Sequence, residues 1–178
     1  LDLVDASGHH IDVYPPPEVS FDSGDVVPRL LATGRYETTV TSGNAFSRSA
    51  LERILPMPEA DFRLAAGGYL VTVAPLSGPV VSIDEPLGAY RQHGGNFWAL
   101  DSGALAERLR RSLRHDAHKL GVLREKAGEL GLRLAAQPGL RDHQHVATRL
   151  ASLCLDPERH PCAGDSRAGL ALRGGLDE

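Results

Sequence analysis

The stretch Pro86-Leu87-Gly88-Ala89-Tyr90-Arg91-Gln92-His93-Gly94-Gly95-Asn96 is the strongest constraint on how this chain folds. Its glycines lose more backbone freedom on ordering than any other residue and weaken helix and strand interiors. Tyr90, Arg91, His93 and Asn96 place polar groups among them that can hold an anion or a sugar. The stretch therefore reads as a working loop, and it separates two patterns. Before it, short apolar or β-branched runs alternate with short helical ones. After it, leucines recur at helical spacing among charges.

Length and composition set the outer limits. A chain of 178 residues suits one ordinary domain, or a modest domain with a helical appendage, and excludes two full enzyme domains. No apolar run approaches the roughly 20 residues that a membrane-spanning helix requires. The chain opens on Leu1-Asp2-Leu3-Val4, with no initiator Met, basic n-region or apolar h-region, so no signal peptide is expected and a piece of a longer protein is. The net charge of -4 is unevenly spread. Residues 1–100 carry 6 arginines against 12 acids, and residues 101–135 carry 8 basic residues against 5 acidic. Helical spacing and interleaved acids favour a solvated helix face over a nucleic-acid site, with association at an anionic membrane surface as the other reading. Cys154 and Cys162 form no familiar metal or redox motif, so a reduced, cytoplasmic setting is the default.

Within the first hundred residues, Leu1 to Val4 and His10 to Tyr14 flank Asp5-Ala6-Ser7-Gly8, the pattern of a β-hairpin. Pro15-Pro16-Pro17 forces an extended exit, and residues 15–28 read as loop. Asp22 and Asp25 fit either a cation or a turn and helix cap. Val26 to Ala32 is a short helix, and Thr38 to Thr41 a β-branched strand running into Ser42-Gly43-Asn44. Ser49 and Glu52 have capping-box spacing for a helix over Ser47 to Leu55 that Pro56 ends. A second helix spans Asp61 to Ala74, with Gly67-Gly68 as its weak point. Val80 to Ile83 reads as a strand leading to the loop.

Four blocks then carry a family resemblance: Thr41 to Leu51, Leu55 to Glu59, Gly68-Tyr69-Leu70, and Glu85 to Asn96. In order and spacing they resemble the C-terminal half of the catalytic domain of family-2 glycosyltransferases. The resemblance covers residues 1–100 and implies an α/β fold, a partial GT-A-type half-domain, followed by a helical extension at 101–155 and a poorly ordered tail at 156–178. It implies transfer of a sugar from a nucleotide-sugar donor to an acceptor. A divalent metal, Mg or Mn, would assist, held by an Asp-x-Asp motif that this chain lacks. That motif and the nucleotide-binding half lie N-terminal to the hairpin in such enzymes, so the chain is expected to be an acceptor-side half, inactive alone. In the family an Asp before Gly-Tyr-Leu is the catalytic base, and here that position is Gly67. Losing a positioned base costs on the order of 10² to 10⁴ in rate. Asp61 lies six residues upstream and is a poor substitute.

The resemblance also implies roles at the loop. Arg91 and His93, two apart on an extended segment, point to one side, Arg91 toward phosphate and His93 toward phosphate or the metal. The bland alternative pairs Arg91 with Asp84 or Glu85 and makes His93 a loop cap. Asn96 with Gly94 and Gly95 suits a lid over the donor, or simple turn chemistry. Trp98 suits sugar stacking or, more ordinarily, a core anchor. Ser42, Gly43 and Asn44 would lie near the donor sugar or acceptor.

From Ser102, Leu105 through Leu134 recur at three- and four-residue spacing as one long amphipathic helix, and Leu140 to Leu153 form another. His143 and His145 are two apart and face different ways on a helix. His115 and His118 have ligand spacing without an evident acidic third ligand, so solvated side chains fit them better. A weak helix is expected at Ser166 to Leu172. The alternative to an enzyme is a non-catalytic carbohydrate-binding or scaffolding module derived from one, and the helices suit either.

Overall fold

The computed structural model describes residues 1–63, 65–93 and 105–175. The lid expected at Gly94, Gly95 and Asn96, the stacking role of Trp98 and the helix start at Ser102 fall outside the described residues.

Strand β1 (Asp2–Val4) pairs antiparallel with β2 (His10–Val13), Asp2 opposite Val13. The expected hairpin is present. Its turn is held by the Asp5 carboxylate, which accepts from the Ser7 and His9 backbone N–H at 2.8 and 2.9 Å. The other edge of β1 takes β3 (Ala89–Arg91) in parallel, with Leu3 opposite Tyr90, giving the order β2-β1-β3. This corrects the reading of 86–96 as loop throughout. Ala89, Tyr90 and Arg91 are the non-glycine residues between the glycines, and the free edge of β1 offers them partners. Asp2 N–H donates to Gly88 C=O and Gln92 N–H to Val4 C=O at the two ends of that pairing.

The two other expected strands are absent from the described structure. Around Thr38 to Thr41 the chain is irregular and enters a 3₁₀ turn at Thr41–Gly43. The Asn44 side-chain amide donates to the Thr39 and Val40 carbonyls, taking acceptors that a sheet neighbour would use. Val80 makes one antiparallel bridge with Gly24, while Val81 and Ile83 are 80% and 61% exposed. β-branched composition without a partner edge does not make a strand.

Helix α1 (Val27–Thr33) starts with Pro in its first turn and ends at Gly34, whose φ of 84° suits a residue without Cβ. Helix α2 (Arg48–Ile54) is capped by Ser47, which accepts from Ala50 N–H, and not by the Ser49-Glu52 box; the Ser49 hydroxyl instead meets that of Ser47. The second expected helix is split into α3 (Glu59–Phe62) and α4 (Ala66–Val73). Gly67 and Gly68 fall in the first turn of α4, so the pair starts that helix late.

Helix α5 (Leu105–Glu129) runs beneath both halves of this layer. Val122 joins Ile54, Phe62, Tyr69 and Val73 in one buried cluster, and Leu123 joins Val26, Leu30 and Tyr36 in a second. The Phe62 and Tyr69 rings meet edge to face at 5.2 Å, and the Tyr69 hydroxyl donates to the Ile54 carbonyl. The long helix read as an extension thus supplies the floor of the first hundred residues. Further ties are Ala135 N–H donating to Leu31 C=O at 2.9 Å and an Arg35–Asp142 ion pair at 3.5 Å.

Helix α6 (His143–Leu155) is capped by Asp142 and packs on α5. After a 3₁₀ turn at Pro157–Arg159, helix α7 (Arg167–Gly174) lies on α6 with Leu170 buried. Composition suggests a poorly ordered tail from residue 156; the structure instead docks this segment through Leu170, an apolar residue whose burial the surrounding Gly, Pro and charge conceal. Basic residues of α5 are largely engaged with acids: Arg110 with Glu107 and Asp156, Arg114 with Glu107, Lys119 with Asp116, and Lys126 with Glu129. No helix among the described residues is long and apolar enough to cross a membrane.

Candidate functional site

A cavity of about 810 Å³ opens between the Thr38–Ala50 segment, the Ala74–Ser77 turn and the approach to β3. Phe21, Tyr36 and Phe46 give it apolar and aromatic walls. Ser42, Gly43 and Asn44 line it with Ser47, Ser49, Ser77 and Ser82. The lining includes Arg53 and Glu85, one charge of each sign, among neutral side chains. Gly43 packs closely here: a Cβ on it would lie 2.6 Å from Thr39 Oγ1. The 3₁₀ turn that Asn44 secures therefore presents backbone and short hydroxyls to the cavity.

Arg91 and His93 do not line this cavity. Both are exposed at the far end of β3. Arg91 Nη1 donates to the Ala6 carbonyl at 2.8 Å, so part of its fork is bound to the β1–β2 turn. The cavity thus takes in Ser42, Gly43 and Asn44 but not Arg91 or His93. Asp22 accepts both Arg29 Nη1 contacts, at 2.7 and 2.8 Å, and the Glu37 backbone N–H; Asp25 accepts from Val27 N–H. Asp25 therefore makes a turn contact, the second of the two readings, whereas Asp22 serves an ion pair with Arg29 and a long-range tie to Glu37.

Gly67 is buried under Thr41. A Cβ there would lie 2.9 Å from Thr41 Cβ and 3.0 Å from its Cγ2. Gly68 faces α5, where a Cβ would lie 2.7 Å from His115 Cε1. The glycine pair lets the Thr41 turn and α5 both close on α4. The Asp61 carboxylate lies 3.9 Å from His118 Nδ1, and both side chains are about half exposed.

Beside Gly68, α5 and α6 build a charged cluster. His145 Nδ1 meets Asp116 Oδ2 at 3.0 Å, and Lys119 Nζ meets Asp116 Oδ1 at 2.6 Å. Burial alone would raise the Asp116 carboxyl, but the His145 hydrogen bond and then the Lys119 ammonium outweigh it and hold it well below the usual carboxylate range. Burial, reinforced by Lys119, lowers the His115 imidazole. A carboxyl depressed on folding stabilises above its unfolded value near ~4 and loses that stability as pH falls. An imidazole depressed on folding holds fewer protons than in the unfolded chain below about 6.5, so it too destabilises on acidification. Urea melts should therefore show stability declining below about pH 6.5 and again below about pH 4. Asp116→Asn should flatten the lower limb, and stability that rises between pH 7 and 5 would refute the assignment.

No family model matches the chain, and no solved structure matches it. Over 115 residues, 63% of the chain, it is 30% identical to an uncharacterized glycosyltransferase of Nostoc sp.. The similarity supports a glycosyltransferase relationship. The chain spans about a third of that relative's length, 35%. A mixed α/β layer with a small sheet is compatible with part of a glycosyltransferase-like domain.

Sequence patterning did not find the aromatic walls. Phe21, Tyr36 and Phe46 are single aromatics in separate irregular segments, and only the tertiary fold faces them toward one space. The covering of Gly67 by Thr41 is equally non-local, across 26 positions.

Proposed function

We propose that this chain is the acceptor-side part of a family-2 glycosyltransferase of GT-A type, which in the intact protein moves a sugar from a nucleotide-sugar donor to an acceptor. The cavity beside Ser42, Gly43 and Asn44 is its sugar- or acceptor-receiving surface. The observation that carries this reading is the lining itself: short hydroxyls and backbone together with the rings of Phe21 and Phe46, and the charges Arg53 and Glu85, one of each sign. A pyranose presents hydroxyl edges and apolar C–H faces, and such a wall matches both. A diphosphate would need a concentration of positive charge that this cavity lacks.

Family-2 transfer also calls on a divalent cation for the diphosphate. Among the described residues, His93 is not part of any group of three His, Cys, Asp or Glu side chains with converging ligand atoms. Hard cations such as Mg take several oxygen ligands, so the described residues do not fit that ion by themselves. The chain's own contribution is binding and orientation of a neutral sugar. With Gly67 at the base position, it offers no carboxylate there to take the acceptor proton.

Protein-observed NMR of the isotope-labelled chain with a panel of monosaccharides, oligosaccharides and nucleotide sugars tests the assignment. Binding is expected to perturb Ser42, Gly43 and Asn44, and Phe46→Ala should weaken it roughly tenfold, about 1.4 kcal/mol. A panel in which no saccharide perturbs those residues would sink this reading.

A further inference from the structure

We infer that the loop joining α6 to α7 is a site for a borderline-soft divalent cation of the zinc class, held by His160, Cys162 and Asp165. One ligand atom from each converges, all three within 4.8 Å of one another. The combination of imidazole nitrogen, thiolate sulfur and carboxylate oxygen is a zinc donor set, and the sulfur weighs against Mg and Ca. In a tetrahedral zinc site the ligand atoms stand roughly 3–4 Å apart, so the three reach it by small side-chain adjustments and leave one position open.

The groups behind the ligands support the assignment more specifically. Helix α6 supplies both of them. His160 Nε2 faces Asp165 Oδ2 at 2.9 Å, and His160 Nδ1 faces Ser152 Oγ at 3.1 Å. Arg149 Nε donates to Asp165 Oδ2 at 2.7 Å, and its Nη2 to Oδ1. Metal-ligating imidazoles characteristically donate their second N–H to an acceptor, and ligating carboxylates are themselves hydrogen-bonded. Ser152 and Arg149 are placed for those two tasks. Ser152, His160 and Asp165 also follow the order of a nucleophilic triad, but the Ser152 residue is 1% exposed and its hydroxyl has no access to a substrate.

The exchange balances simply. Before binding, His160 carries its proton on Nε2 and shares it with Asp165. On binding, the neutral ring takes the other tautomer, Nδ1–H donates to Ser152 Oγ, and the Nε2 lone pair goes to the cation. The Cys162 thiol gives one proton to solvent and its sulfur becomes a ligand. Arg149 keeps both contacts, Nη2 to Oδ1 and Nε to Oδ2, and the Oδ2 lone pair that the His160 N–H vacates goes to the metal. Partly exposed Cys162 is the way in, while the His160 and Asp165 side chains are 3% and 7% exposed. The cation would fasten the 160–165 loop to α6 and so fix α7. The site lies apart from the saccharide cavity and does not depend on its assignment.

The test is calorimetric titration of the chelator-stripped 178-residue chain with Zn²⁺, together with the absorption spectrum on adding Co²⁺. One equivalent should bind, raise Tm, and give a thiolate-to-cobalt charge-transfer band. Cys162→Ala should abolish the band and weaken binding by at least ~100-fold, Ser152→Ala should weaken it about tenfold, and Cys154→Ala should change neither. The cobalt band on the unaltered chain reports thiolate ligation even if a variant fails to fold. Absence of binding to the folded chain, a missing band, or an affinity that survives Cys162→Ala would overturn the proposal.

Discussion

Gly67→Ala is expected to destabilise the chain by about 1–3 kcal/mol, the cost of overpacking, although Gly to Ala in a helix ordinarily gains up to ~1 kcal/mol. The reason is Thr41. A Cβ at 67 would lie 2.9 Å from Thr41 Cβ, an atom fixed to the backbone, so rotating the threonine does not relieve the contact and the 3₁₀ turn at Thr41–Gly43 must move. Gly67→Asp should cost more. An acid in the first turn of a helix gains ~0.3–1 kcal/mol from the macrodipole, less than the overpacking, and burying its carboxylate adds a desolvation penalty. At about 2–4 °C per kcal/mol for a chain of this size, the alanine variant should melt roughly 2–12 °C lower. Thr41→Gly together with Gly67→Ala should recover part of the loss, the non-additivity expected of touching residues. A Gly67→Ala variant as stable as the parent would show that Thr41 does not crowd this position.

The same contact changes how a lost base should be sought. Under the proposed function, restoring Asp at 67 alone reinstates a carboxylate into space that Thr41 fills. In a longer chain carrying the donor half, Gly67→Asp with Thr41→Gly is therefore the variant expected to raise sugar transfer, and Gly67→Asp alone is not. The family resemblance singles out Gly67 as the expected base position, and in the structure Thr41 packs against that glycine.

What could be read from the sequence was local. The β1–β2 hairpin, α1, α2 and the leucine periodicity of α5 follow from turn residues and spacing within about ten positions, where physics acts on neighbours. The failures among the strands were questions of partnership. Thr38 to Thr41 and Val80 to Ile83 have strand composition, but Asn44 takes the carbonyls of the first and a single bridge serves the second. Ala89 to Arg91 look unpromising among glycines, yet β1 has an open edge for them. At the site, Ser42-Gly43-Asn44 was legible as a backbone-exposing turn and does line a cavity. That Arg91 and His93 do not line it was not legible, because spacing says which way residues point along one strand and nothing about where another segment lies. His160, Cys162 and Asp165 were missed because their spacing matches no common ligand motif and two supporting residues come from α6.

A large stability effect should come from Leu123→Ala. Leu123 is fully buried, and it packs with Val26, Leu30 and Tyr36 while its neighbour Val122 enters the cluster around Tyr69. Deleting a buried leucine side chain costs about 2–5 kcal/mol, combining lost transfer energy with the cavity left behind. The upper half of that range is expected, because α1 ends against α5 at Gly34 and Leu120 and the backbone there has little room to collapse into the void. Tm should fall by roughly 7–20 °C. Leu130→Ala, at a residue 58% exposed just past the end of the same helix, should stay within about 0.5 kcal/mol. The pair also tests whether α5 belongs to the core of the first hundred residues. If it does, hydrogen exchange in Leu123→Ala should accelerate at α1 and α4 as well as in α5. If α5 were only an appendage, protection would fall in the helices after residue 105 and remain unchanged in α1 and α4.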